Sequence, residues 1–192
     1  PKTFSYLSIK ENNIRNEFNE NIKNELKLVN ASDINKRTDL KSIPFVTIDG
    51  DDAKDFDDAV YVEKTLDHNG WRILVSIADV SHFVTSDSNL DKEARERGNS
   101  VYLPNLVIPM LPEELSNDLC SLKPNVDRLC LTVEIVLNND GKKLSHKFFR
   151  SIINSQKRLT YREVENIIDN KTPYTDYDNK VIEVIESLYE VY

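Results

Sequence analysis

Apolar positions change their period along this chain, and the changes divide it. In residues 1–40 they are sparse: Ile9, Ile14, Phe18, Ile22 and Leu26 recur in a background of Asn, Glu and Lys. That near-helical spacing predicts an amphipathic helix from about 11 to 28. "NASDINKRTDLKS" then reads as a linker rich in turn residues. From Ile43 the pattern turns β-like. "IPFVTI" and "AVYVEK" read as strands, "LDHNG" as a hairpin-type turn, and "WRILVSIADV" as a strand apolar enough to be central. "LDKEARERGNS" reads as a short charged helix closed by Gly98. "VYLPNLVIPMLPEEL", with three prolines, is expected to be an ordered loop. "LCLTVEIVLNNDGKKLSHKFFRSII" is two strands around Asn-Asp-Gly, a strong hairpin signal. Thr160, with Glu163 three residues on, predicts a capping box opening a helix at "TYREVENIID". Residues 178–192 read as another helix that runs to the last residue without a stop signal. The fold expected is α+β: a mixed, largely antiparallel sheet with helices packed on it and a loop of special composition at its strand ends.

Composition adds limits. A chain of 192 residues can bury a sizeable core. No apolar run approaches a membrane span and no signal segment opens the chain. Cys120 and Cys130 have no zinc spacing and read as core thiols, which suits a reducing, cytoplasmic setting. No glycine-rich phosphate loop is present, and no small-molecule cofactor is expected.

Charge is where the chemistry shows. The net charge of −8 argues against a free-standing nucleic-acid binder. Its distribution is uneven. Asp49 to Asp58 holds six aspartates and one lysine, whereas Gly141 to Arg162 holds seven cations and no acid. An acidic pocket with a basic strip suits a metal-dependent enzyme acting on a polyanion; a solvated basic strand face is the plainer reading. An EF-hand needs Gly at the sixth loop position and Glu at the twelfth. Counted from Asp49, those are Lys54 and Val60, so a calcium loop of that kind is excluded. Three readings stay open on the residues alone: a Mg²⁺ site for phosphodiester chemistry, another metal site, and a solvated acidic turn. Mg²⁺ joins one or two carboxylates to substrate phosphates, and two such ions about 3.5–4 Å apart suit phosphodiester cleavage.

Longer stretches narrow the choice. "IPFVTIDGDDAKDFDDAV" (43–60), "GWRILVSIADVSHFV" (70–84), "LDKEARERGNSVYLPNLVIPMLPEELSNDLCSLKPNVDRLCLTVEI" (90–135) and "RLTYREV" (158–164) resemble, in order, segments of the RNase II/RNase R family of exoribonucleases. The likeness is closest to the RNase R branch and covers about 43 to 170. Residues 1–40 read by their pattern as a helical lead-in and linker, and the resemblance implies the N-terminal half of the RNB catalytic domain over 41–192. The implied activity is processive, Mg²⁺-dependent hydrolysis of single-stranded RNA from its 3′ end to nucleoside 5′-monophosphates, with two metal ions in the intact site.

Carried over residue by residue, the resemblance places four active-site aspartates at Asp49, Asp55, Asp57 and Asp58. Asp49 and Asp58 would ligate metal most directly. Asp57 would be the most critical for the chemistry, and Asp55 would complete the shell. Asp51 and Asp52 fall at variable positions. Tyr102 matches a base-packing position and Tyr161 a position near the ribose; taken alone, each also fits an ordinary amphipathic site. His82 and His146 have no serine or cysteine nucleophile to serve and read as structural. The family's arginine-bearing motif, of the "TSPIRRY" kind, does not occur, nor do its OB-fold RNA-binding domains. The resemblance therefore implies a truncated catalytic domain, inactive by itself. A catalytically dead RNA-binding relative and an endonuclease are the rivals.

Overall fold

The computed structural model describes residues 2–26, 36–67, 69–169 and 177–192. They form two compact units: Asp33–Asp79 with Cys120–Tyr192, and Pro1–Ser32 with Val80–Leu119.

The larger unit is built on one seven-stranded sheet. Its strands are β1 (Thr38–Asp39), β2 (Val46–Asp49), β3 (Asp58–Lys64), β4 (Gly70–Ala78), β7 (Asp127–Asn138), β8 (Lys143–Asn154) and β9 (Lys157–Thr160), in the order β1-β8-β7-β4-β3-β2-β9. Pairing is antiparallel from β8 through β2 and parallel at both ends, β1 with β8 and β2 with β9. The sheet is therefore mixed and largely antiparallel, as its alternating runs imply. The most apolar strand, β4, lies in the middle. The β7–β8 hairpin turns at Asn138–Lys142, where Gly141 takes φ 74° and Asn138 Oδ1 accepts N–H bonds from Asp140 and Lys142. Within the sheet, the hydroxyls of Ser76, Thr132 and Ser151 are fully buried and bond side by side across β4, β7 and β8, at 2.7 and 2.6 Å. Each buried polar group is thereby satisfied by its neighbour.

Helices α5 (Tyr161–Ile168) and α6 (Asn179–Val191) cover the β2–β9 end of the sheet. Val46, Leu159, Ile167, Val181, Val184 and Ile185 form the buried cluster there. The capping box at α5 is complete, with Thr160 and Glu163 exchanging both bonds. Strand β9 was not legible as a strand, because only its parallel pairing with β2 makes it one. Close packing makes Gly70 obligatory: a Cβ there would stand 2.0 Å from the Leu137 carbonyl oxygen. Gly70→Ala should destabilise the fold by about 2–3 kcal/mol, measured by urea denaturation, because the obstacle is backbone that cannot swing aside.

Cys120 and Cys130 are free and buried, as expected of core thiols. Burial pushes each thiol up to about 12. A thiolate is the reactive form, so neither should react with iodoacetamide at pH 8 until the protein is unfolded. Rapid labelling of the folded chain, followed by mass spectrometry, would contradict that burial.

The smaller unit holds α1 (Lys2–Glu11), α2 (Glu20–Leu26), α3 (Val80–Phe83), α4 (Asn89–Arg97) and a two-stranded sheet of β5 (Val101–Leu103) with β6 (Leu106–Ile108). Two expectations are corrected here. The single helix over 11–28 is instead α1 and α2, separated by residues 12–19; residues 27 and 28 lie outside the described residues. The break is local chemistry. Asn13 adopts φ 51°, the Asn12 amide donates to the Ser8 carbonyl, and the Asn19 side chain accepts from Ile22 N–H to start α2. Arg97, with its side chain buried, lies 3.8 Å from the Phe18 ring centroid and donates to the carbonyls of Arg15 and Glu17. Those carbonyls are thereby diverted from a helical ladder.

The second correction concerns the proline-punctuated stretch. It is not all loop: β5 and β6 pair around a two-residue turn at Pro104 and Asn105, and Leu115–Leu119 forms one π-helical turn. Its prolines fall outside both strands, so none costs a ladder bond. The helix closed by Gly98 stands as read, with Ser88 at its N-cap and Gly98 at φ 76°.

Candidate active site

Asp49 is the last residue of β2 and Asp58 the first of β3, so the acidic stretch is the connection between two adjacent strands. Residues 50–57 do not hang free. Phe56 N–H donates to Ser121 Oγ at 3.1 Å, and Ser121 Oγ donates to the Lys54 carbonyl at 2.8 Å. Leu122 N–H bonds the Phe56 carbonyl and Ala78 N–H the Asp57 carbonyl, at 2.8 and 2.9 Å. The loop backbone is thus tied to the end of β4 and to the segment after Cys120. Its charged side chains are left outward: Asp51, Asp52, Asp57 and Asp58 are exposed, Asp49 and Asp55 half-buried.

Electrostatics mark the same cluster. Desolvation raises the Asp49 carboxyl above the usual range; Asp58 and Asp55 add to the rise and Arg158 opposes it. Asp57 is raised as well, first by desolvation, then by Asp55, Asp58 and Asp49. Asp57 is exposed, so crowding by nearby protein atoms rather than full burial is the source of that desolvation. One oxygen of Asp49, Oδ2, is buried with no hydrogen-bond partner. A buried acceptor without a donor asks for a cation or water. Among the described residues, no three His, Cys, Asp or Glu side chains close a cage around an ion. The chemistry of the donors is what fits: Mg²⁺ takes hard carboxylate oxygens and completes its shell with water and phosphate oxygens.

The tyrosines separate. Tyr161 opens α5, directly after Thr160, which is the register partner of Asp49; its ring is 67% exposed at that strand end. Tyr102 lies in the smaller unit on β5, opposite Val107, and is 68% exposed. Neither is a core residue. His82 packs edge-on against Phe83 and His146 against Phe148. The basic strip is not one patch. Lys147 pairs with Glu134, Arg150 with Asp79, and Lys157 lies over the Tyr177 ring. Two residues at the loop had no assigned part in the sequence: Ser121, which carries no signal at all, and Arg158, which stood only as one cation of the strip.

The mixed sheet with an acidic loop joining the ends of β2 and β3 defines a known class of domain. A family profile described as the RNB domain matches residues 37–192, and the chain belongs to that family. Within the family it is similar to ribonuclease R. Ribonuclease R of Vibrio parahaemolyticus is 51% identical over 156 residues, which cover 81% of this chain and 19% of that protein. The chain therefore spans about a fifth of that relative's length. Ribonuclease R of Mycoplasma genitalium superposes with TM-score 0.89 and 34% identity over 95% of this chain, in structures with ribose-methylated single-stranded RNA and with double-stranded RNA; the match covers 29% and 33% of those chains. Yeast Ssd1, described as a pseudonuclease, shares the fold at TM-score 0.69 and 17% identity, over 85% of this chain and 19% of that one. Among the described residues no helix is long and apolar enough to cross a membrane.

Proposed function

We propose that this domain is part of the catalytic unit of a cytoplasmic Mg²⁺-dependent exoribonuclease that hydrolyses single-stranded RNA processively from its 3′ end. The observation that carries the reading is the unpartnered buried oxygen of Asp49, set among Asp55, Asp57 and Asp58 on a loop whose backbone is pinned. Bound Mg²⁺ would supply Lewis acidity and an activated water. Asp49 and Asp58 would hold it most directly, Asp55 would complete the shell, and Asp57 would orient the attacking water. The water oxygen bonds to phosphorus, the P–O3′ bond breaks, and the proton ends on the 3′-hydroxyl of the shortened chain. The product is a nucleoside 5′-monophosphate.

Tyr161 would read the ribose 2′-hydroxyl; its exposure next to Thr160, the register partner of Asp49, supports that reading. Tyr102 offers an exposed ring for base stacking, which every base can satisfy. OB-fold domains of the same parent protein would add basic surface for RNA to a chain whose own net charge is −8. Without an arginine motif to stabilise the transition-state charge, the 192-residue chain alone should turn over RNA barely or not at all. A 5′-labelled oligoribonucleotide incubated with the full-length protein and Mg²⁺ should give a ladder shortened from the 3′ end, with free 5′-mononucleotides. Internal fragments would instead indicate an endonuclease. Binding without shortening would indicate a catalytically dead relative.

A further inference from the structure

We propose that Arg158 is a positioning residue that pins the acidic loop from both ends and holds its carboxylates in ligand-ready arrangement; what that arrangement serves rests on the nuclease reading above. Arg158 sits in β9, opposite Thr47 in the parallel pairing with β2, so it stands beside the strand that ends at Asp49. Its Nη2 donates to the carbonyls of Gly50 and Asp51, at 2.5 and 3.0 Å, which fixes the loop where it leaves β2. Its guanidinium carbon lies 5.6 Å from the centroid of Phe56, near the loop's far end. One side chain therefore touches residues 50, 51 and 56, and the aspartates between and beside them are held by that bracket.

The choice of acceptors matters. Both Nη2 bonds go to carbonyls rather than carboxylates, so a positive charge stands inside the acidic cluster without consuming the oxygens a metal would need. The loop needs such a bracket. Six aspartates repel one another, and Gly50 adds a flexible joint with open space around it. Arginine is suited where lysine is not: Nη2 bonds both carbonyls while the rest of the flat guanidinium reaches on towards the Phe56 ring, whereas an ammonium holding the two carbonyls has no such plane left to offer. The Nε of Arg158 is buried without a partner, so the side chain accepts an unsatisfied donor in order to stay at this place.

The test uses the 192-residue chain without metal, compared with Arg158→Gln and Arg158→Lys by hydrogen exchange. Amides of residues 50–57 should exchange roughly tenfold or more faster in Arg158→Gln, while those of β4 and β7 stay as protected as before. Arg158→Lys should fail to restore them. Mn²⁺ affinity, read by electron paramagnetic resonance, should fall about tenfold or more in both variants. Unchanged exchange over 50–57 in Arg158→Gln, or full restoration by lysine, would overturn the proposal. Should Arg158→Gln lose the protection of β4 and β7 too, Arg158→Lys decides: faster loop exchange supports the bracket and wild-type exchange rejects it. Failure of the nuclease reading looks different, since the wild-type chain would then bind no Mn²⁺ while the exchange result stood on its own.

Discussion

Replacing Asp57 by asparagine in the full-length protein should lower RNA turnover by roughly a thousandfold, about 4 kcal/mol of transition-state stabilisation. RNA binding should persist. The structure explains why the loss should be clean. The Asp57 backbone carbonyl, not its side chain, accepts the Ala78 N–H that secures the loop. Asparagine keeps the size of the side chain and removes a charge that Asp55, Asp58 and Asp49 oppose. The variant should therefore be as stable as the parent or slightly more so, a direction opposite to that of its activity. Loss of activity together with a lower Tm would mean that Asp57 holds the fold. Unchanged turnover would remove it from the chemistry.

The second large effect is on stability, away from the acidic loop. Arg37 and Asp79 form an ion pair at 2.6 Å with side chains only 2% and 3% exposed. Arg37 also donates to the Cys130 carbonyl, and Asp79 N–H bonds the Leu129 carbonyl. The pair thus fastens the segment before β1 to the junction at the end of β4. Removing one partner of a buried pair leaves a charge desolvated and unmatched, which typically costs about 3–5 kcal/mol. Arg150, 3.5 Å from the same Asp79 oxygen, softens the loss. Arg37→Met should accordingly destabilise the protein by about 3 kcal/mol in urea unfolding. Arg37→Met with Asp79→Leu should recover most of that stability, because the orphaned charge is then gone. A single variant within about 0.5 kcal/mol of wild type would show that the pair is not desolvated in solution.

How far the sequence reached depended on whether a feature was local. Strands β3 and β4 alternate or run apolar over their own length, the β7–β8 hairpin carries its own turn, and α5 carries its own capping box; all were legible. The break at Asn12–Asn13 was also local, but the apolar spacing from Ile9 to Leu26 overrode it. What failed depended on distant partners. Strand β9 exists through its pairing with β2, more than a hundred residues away. The diversion of the Arg15 and Glu17 carbonyls requires Arg97. In the site, density of charge announced the loop, but physics alone left three readings. The assignment of Asp49, Asp55, Asp57 and Asp58 came from resemblance. Ser121 and Arg158, which shape the loop from across the fold, could not be read from spacing because nothing near them in sequence needs them.

The central claim is that these carboxylates hold metal against an RNA phosphate. Anomalous scattering from Mn²⁺ in crystals of the full-length protein, with the Asp57→Asn substitution and a single-stranded RNA bound, tests it most directly. The account predicts a Mn²⁺ peak in contact with Asp49 or Asp58 and with a phosphate oxygen at the RNA 3′ end. RNA seated in the protein with no metal peak beside these aspartates would contradict it.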